Sequence, residues 1–410
     1  MVVGNDEKVV FDAEGNRTFV APGKDTISIV DITDREAPKI LVSFPVMNSI
    51  FGPPTNRAIT PDERLAIVAN SVDWVQDGAN WKPAPDNKLY VFDLKASPPK
   101  QIATVEVGKQ PSGLAINRAG DLALIANRND KSISVLSIQG NEVKLIDTVT
   151  MGDEVASVAI TPDGKRALAT KFPAHKIALL EINGQKVTDT KHDMPVGLWP
   201  YNIGVTPDGK IGISADNGNA GAPDGHVDTV SIIDLESTPP RVIDRVVVGD
   251  APEGFAISPK GDLAVAVLLG GAAVPKSAWF NYTVAEPAIA QGLTPDAISS
   301  DIHAVSINTP GYPTLPWVMS KFLNMGLSLE DVVAKATVEP AKVIGRVPGL
   351  GTLQVGAPAD VAIFDLVDGP VEFVDTRNHK RSGTRKLVPA LTVRGGRPFG
   401  RPPLPIPFLY

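Results

Sequence analysis

AITPDGKRALAT, residues 159–170, is the stretch on which the fold turns. Two short apolar runs flank Pro162-Asp163-Gly164. Proline presets φ at the first corner of a tight reversal, and aspartate and glycine accept the left-handed conformations that follow. The phrase recurs as AITPDERLAIVAN from Ala58, AINRAGDLALIAN from Ala115, GVTPDGKIGISAD from Gly204 and AISPKGDLAVAVL from Ala256, with a decayed copy, DAEGNRTFVAP, from Asp12. The turn positions Gly15, Glu63, Gly120, Gly164, Gly209 and Gly261 are spaced by 48, 57, 44, 45 and 52 residues. That is the period of a four-stranded propeller blade. Glu63 stands where the other copies have glycine, so it is expected to be strained or to sit in another turn type.

A third alternating run follows each hairpin, at residues 25–32, 87–94, 131–138, 175–182 and 228–235. A fourth then leads into VGKQPSGLAI from Val107, VGLWPYNIGV from Val196 and VGDAPEGFAI from Val248, which carry the chain to the next inner strand. The first repeat lacks an obvious inner strand and the last stops after its second strand, near Leu268. The expected fold is therefore mainly β: over residues 1–282, an incomplete propeller of about five to six blades of four antiparallel strands. This region resembles the bacterial propellers of the YVTN-repeat, lactonase-like superfamily. The resemblance implies an architecture more than an activity, since those relatives range from lactone hydrolases to binding and scaffold proteins and are often exported.

Composition agrees with a turn-rich β protein. Glycine and proline make up 36 and 37 of 410 residues beside 43% hydrophobic ones, which excludes collagen-like and wholly disordered chains. With no cysteine there is no disulfide framework, thiolate zinc site or cysteine nucleophile. A net charge of −7 gives no general attraction to nucleic acid. Eight lysines and arginines without an acid fall between Arg377 and Tyr410, read as a solvated face or an internal contact with the acidic body. The start shows no signal-peptide core. The longest uncharged apolar stretch, residues 263–275, is well short of the ~18 residues of a membrane span. Compartment and oligomeric state are left open.

From about residue 283 the pattern changes to an α/β piece running to 410. Ser328-Leu-Glu-Asp331 has capping-box spacing and opens a helix with Leu329, Val332, Val333 and Ala336 on one side. Another helical stretch lies near 315–325, and strand-like runs occur at 360–366, 371–374 and 386–393. Thr337-Val-Glu-Pro-Ala341, Gly345 and GLGTLQVGAPADVAIFDL from Gly349 closely resemble the C-terminal end of metal-dependent amidohydrolases of the dihydroorotase and deacetylase type. The resemblance implies a last barrel helix running into a small β-sandwich. It also implies that Asp301, in AISSDIHAVSI, binds a divalent metal and takes a proton from the attacking water, with His303 as a neighbouring ligand candidate. The cofactor would then be zinc; from this chain alone none is expected. The family's His-x-His pair has no counterpart, because the five histidines include no two that are one residue apart. One carboxylate with one histidine falls short of the three protein ligands usual at a catalytic zinc.

Other chemistry is sparse: there is no Gly-x-Ser-x-Gly elbow, phosphate loop or His-Glu-x-x-His. Rim candidates for a ligand are Trp74 and Trp81, in an insert at 71–86, and Asp216, Asp224 and Asp228, in the loop DNGNAGAPDGHVD. Trp199 reads equally well as packing across blades, and the isolated histidines as surface imidazoles. The leading expectation is a binding or scaffold propeller, taking a small molecule or protein on one face, with an amidohydrolase-like tail that is not self-sufficient. The alternatives are a metal-dependent hydrolase of cyclic amide, lactone or N-acyl bonds, and a propeller lactonase independent of Asp301.

Overall fold

The computed structural model describes residues 1–6, 8–11, 17–34, 38–49, 56–78, 80–220, 227–248, 251–268, 280, 282–300, 311, 314–344, 349–375 and 378–398. In it the turn phrase builds one hairpin five times. The amides of Glu63, Gly120, Gly164, Gly209 and Gly261 donate to the carbonyls of Thr60, Asn117, Thr161, Thr206 and Ser258 at 2.8–3.0 Å. Glu63 thus keeps the shared turn and accepts the strain, with φ of 55° against 70–77° for the glycines. Threonine and aspartate lock the corner: the hydroxyls of Thr60, Thr161 and Thr206 donate to Asp62, Asp163 and Asp208 at 2.6 Å. Each carboxylate also accepts the backbone amide two residues on, at 3.1 Å. These bonds, the hydroxyl first, hold the three carboxyls below the ordinary carboxylate value.

The hairpins are the inner halves of antiparallel sheets, numbered here as blades in chain order. Blade 1 has three strands, Val2–Asn5, Thr26–Asp31 and Lys39–Phe44. Blade 2 is Arg57–Ile59, Leu65–Asp77, Asn80–Asp93 and Lys100–Glu106. Blade 3 is Pro111–Ile116, Leu122–Asn127, Ser132–Gln139 and Glu142–Thr150. Blade 4 is Val155–Ile160, Arg166–Lys171, Lys176–Asn183 and Lys186–Pro195, and blade 5 is Pro200–Val205, Ile211–Asp216, Asp228–Asp234 and Arg241–Val248. Blade 6 consists of Pro252–Ile257 and Ala264–Leu268. A separate pair, Val9–Phe11 with Arg17–Phe19, flanks the decayed turn, whose residues 12–16 lie outside the described ones.

Alternation explains why second strands such as LALIAN bury every residue: one face meets the preceding blade and the other the next. Ile27 and Ile29 pack on Ala66, Val68 and Phe92; Ile67 and Val91 on Leu114 and Ile125; Leu124 and Ile133 on Val158 and Ala169; Leu168 and Ile177 on Ile203 and Ile233. At the turns, a Cβ on Gly120, Gly209 or Gly261 would lie 3.2–3.4 Å from the Cδ of the preceding copy's Pro61, Pro162 or Pro207. Proline and glycine therefore stack blade on blade. The exception supports the rule: Arg118 replaces the proline in blade 3, and Gly164 of blade 4 meets nothing within 4 Å.

The 71–86 insert, expected as a rim loop, is instead strand. It lengthens the second and third strands of blade 2, with Val72 opposite Pro85 and Asp77 opposite Asn80. The chain divides into two compact units, Met1–Val10 with Arg17–Gly270, and chiefly Gly271–Tyr410. The second holds helices α1 (Tyr282–Ala290), α2 (Leu315–Asn324), α3 (Leu329–Ala336) and α4 (Val338–Val343), and a hairpin of Val361–Val374 with Lys380–Arg394. Ser328 caps α3 as expected, its Oγ accepting from Asp331 N at 3.0 Å. Val332 is buried while Val333 is 40% exposed, so the apolar stripe is narrower than read. Side chains of α2 dress the hairpin: Asn324 Nδ2 donates to Arg385 O at 2.7 Å, and Ser320 Oγ accepts from Leu387 N at 2.9 Å. Phe280, Val318, Leu323, Val332, Phe373 and Leu387 form the core.

Candidate functional site

Blades 3 to 6 begin alike, at Pro111, Val155, Pro200 and Pro252, and each inner strand breaks register immediately afterwards. Such bulges re-aim the adjoining side chains. The residue after each start differs in chemistry: Ser112, Ala156, Tyr201, Glu253. Residues following the second strands are equally divergent. Arg128, Phe172 and Asn217 occupy one structural position, since their amides donate to the carbonyls of Gln110, Glu154 and Trp199 at 2.9–3.0 Å.

Several of these residues converge at one end of the inner strands. The Arg128 guanidinium carbon lies 4.8 Å from the Phe172 ring centre and 5.6 Å from that of Tyr201. Phe172 stands 5.3 Å from Tyr201 and meets Trp199 edge-on at 4.9 Å. Trp199 N donates to His175 Nδ1 at 2.9 Å, and both residues are left-handed, with φ of 55° and 57°. Asn217 Nδ2 donates to Pro252 O at 3.3 Å, beside Glu253. Non-glycine residues held at positive φ are concentrated where the surrounding structure has another use for them.

The polar groups here are incompletely satisfied. Arg128 Nε and Asn217 Oδ1 are buried without a hydrogen-bond partner. Burial pushes the Glu253 carboxyl up to about 7, with the Arg128 charge opposing. Burial also raises the Tyr201 phenol, aided by Glu253 and opposed by Arg128. An orphaned buried donor or acceptor costs about 1–3 kcal/mol, a cost offset by any ligand that supplies its partner. A cation, an acid, a phenol and an amide among three aromatic rings form a binding arrangement.

The residues singled out from the sequence are placed differently. Trp74 is buried against Phe19, ring centres 4.7 Å apart, and Trp81 is half-buried opposite Gln76. Asp216 is buried as an internal staple. Its carboxylate accepts from Ser231 Oγ at 2.6 Å, Ser214 Oγ at 2.7 Å, Thr229 Oγ1 at 2.9 Å and Gly197 N at 3.1 Å. Burial raises its pKa and those donors oppose the rise. Asn127 fills the same role in blade 3, bonded to Ser132 and Ser134 at 3.0 and 2.9 Å. Asp228 accepts from Ala251 N at 2.7 Å. Asp224, Asp301 and His303 lie outside the described residues. Arg128, Phe172, Tyr201, Asn217 and Glu253 escaped the sequence reading, although aligned repeats carry a signal for them: PSG, VAS, PYN and PEG agree in backbone role and disagree in side chain.

Among the described residues the implied zinc finds no matching set of donors. Among the described residues, no three histidines or carboxylates gather as an ion would require. Three of the imidazoles are held apart: His175 by Trp199 N, His192 by Pro240 O at 2.8 Å and His379 by Asp375 at 2.9 Å. The described donor set does not fit a hydrolytic metal, and no step is derived through one.

The family described as "Amidohydrolase family" matches residues 281–398. A deacetylase of Agrobacterium fabrum is 41% identical over 116 residues, 28% of each chain, and an imidazolonepropionase of Shouchella clausii is 35% identical over 106 residues, 25% of this chain and 22% of that one. The chain spans less than a third of the length of these curated relatives. Among solved structures, Kuenenia stuttgartiensis hydrazine synthase aligns at 19% identity and TM-score 0.42, over 53% of this chain and 56% of that one. A dihydroorotase aligns at 38% identity and TM-score 0.27, over 29% and 32%. The chain thus joins a unit of repeated propeller-type sheets to a C-terminal segment that matches the amidohydrolase family.

Proposed function

We propose that this chain acts as a binding propeller whose ligand sits among Arg128, Phe172, Trp199, Tyr201 and Glu253. In this reading residues 281–398 form an amidohydrolase-like segment without a self-sufficient hydrolytic centre. The supporting observation is the gathering of Arg128, Phe172, Trp199 and Tyr201 from blades 3 to 5, with Arg128 Nε and Asn217 Oδ1 buried and unsatisfied beside the aromatic walls. A second reading, metal-dependent hydrolysis of N-acyl or cyclic amide bonds through Asp301 and His303, is favoured by the 41% identity to a deacetylase.

One experiment separates the two. The full chain is produced in zinc-supplemented medium, its metal content measured, and hydrolysis of N-acetyl amino acids, a hydantoin and a lactone assayed with and without chelator. The binding reading expects sub-stoichiometric zinc and no turnover. Stoichiometric zinc, with turnover abolished by chelator and by Asp301→Asn, overturns it. Turnover of the lactone that survives both treatments replaces it with a propeller lactonase.

A further inference from the structure

Resting on that reading of the site, we infer that the strand ends of blades 3 to 6 around Arg128 take the carboxylate of a small, flat organic acid. Arg128 supplies the reason. Its guanidinium lies over Phe172 and Tyr201, its Nε is buried without a partner, and among the described residues no carboxylate forms an ion pair with it. A planar fork of donors held at a fixed angle by two rings matches a carboxylate in bidentate geometry. The walls choose the body. Phe172 packs on Trp199 and on Tyr201 with ring centres 4.9 and 5.3 Å apart, so the three present one aromatic surface beside Arg128, on which a flat apolar group stacks better than a globular one. With no ion-pair partner among the described carboxylates, Arg128 balances a monoanion, and Glu253, on blade 6, counts against a dianion such as phosphate. Asn217 Oδ1, the second orphaned atom, accepts from a hydroxyl or amide on the same molecule.

The test uses the full chain at pH 6 with benzoate, benzamidine and inorganic phosphate as probes, followed by calorimetry. Benzoate is expected to saturate one site per chain. Arg128→Gln should weaken it at least tenfold and Arg128→Lys several-fold, because lysine keeps the charge and loses the fork. Arg241→Gln, on the outer strand of blade 5, should leave affinity unchanged. The benzoate-induced change in tryptophan emission should disappear in Trp199→Phe. If Arg128→Gln fails to fold, by circular dichroism, Arg128→Lys and Trp199→Phe decide. Benzoate that fails to saturate, or binds both arginine variants as it binds the parent, overturns the inference, as does phosphate binding through Arg128 in its place. Benzamidine binding that requires Glu253, without benzoate binding, removes the carboxylate and leaves the binding site standing.

Discussion

Replacing Glu253 by glutamine removes a carboxyl that burial pushes up from 4.5 to about 7. In the unfolded chain the group titrates near the lower value, so across the window the folded state holds the extra proton. Its stabilising contribution is complete below pH 4.5 and is withdrawn as the pH rises through 7. That displacement corresponds to ~3 kcal/mol of differential stability. Glutamine keeps the shape and stays neutral, so the variant lacks this one pH-dependent loss. Urea unfolding of both proteins at intervals from pH 4.5 to 8, read by tryptophan emission with equal slopes, gives the difference directly, because every other titrating group is common to the pair. The expected difference is near its minimum at pH 4.5 and favours the variant by ~3 kcal/mol at pH 8. Parallel curves across the range would refute the account, since the carboxyl would then ionise as freely as in water.

Gly113→Ala places a Cβ 2.6 Å from Ser157 Cα on the adjoining inner strand and should cost about 1–3 kcal/mol in chemical denaturation. Gly164→Ala, which meets no neighbour, should cost only the left-handed strain of about 1–2 kcal/mol. In the second unit burial lowers the Lys321 ammonium to about 8. Between pH 8 and 10.5 the unfolded chain therefore binds more protons, so this unit should gain up to ~3 kcal/mol across that interval, and Lys321→Met should flatten the rise. Ser328→Ala removes the bond to Asp331 N and should destabilise the same unit by about 1 kcal/mol, measured by thermal melting.

The blades were legible from residue order because their determinants are local. In TPDG the threonine, aspartate and glycine act on backbone within five residues of themselves, and a strand's alternation depends on its neighbours alone. Glu63 shows the limit of that logic: the flanking strands impose the left-handed turn on a residue that resists it. Asp216 shows the opposite failure. Its place in an acidic, glycine-rich loop reads as a rim ligand, yet Ser231, Thr229 and Gly197 turn it inward and satisfy it. A carboxylate's role depends on which donors surround it, and three of the four around Asp216 come from outside its own strand.

Residue order by itself determined the repeat, the turn chemistry, the change of pattern after the sixth hairpin and the capped helix at Ser328, all effects of side chains on nearby backbone. Only the tertiary structure decided that Arg128, Phe172, Tyr201 and Glu253 meet. Each comes from a different blade, and the packing of inner strands on one another brings together positions whose chemistry the repeat leaves free to vary.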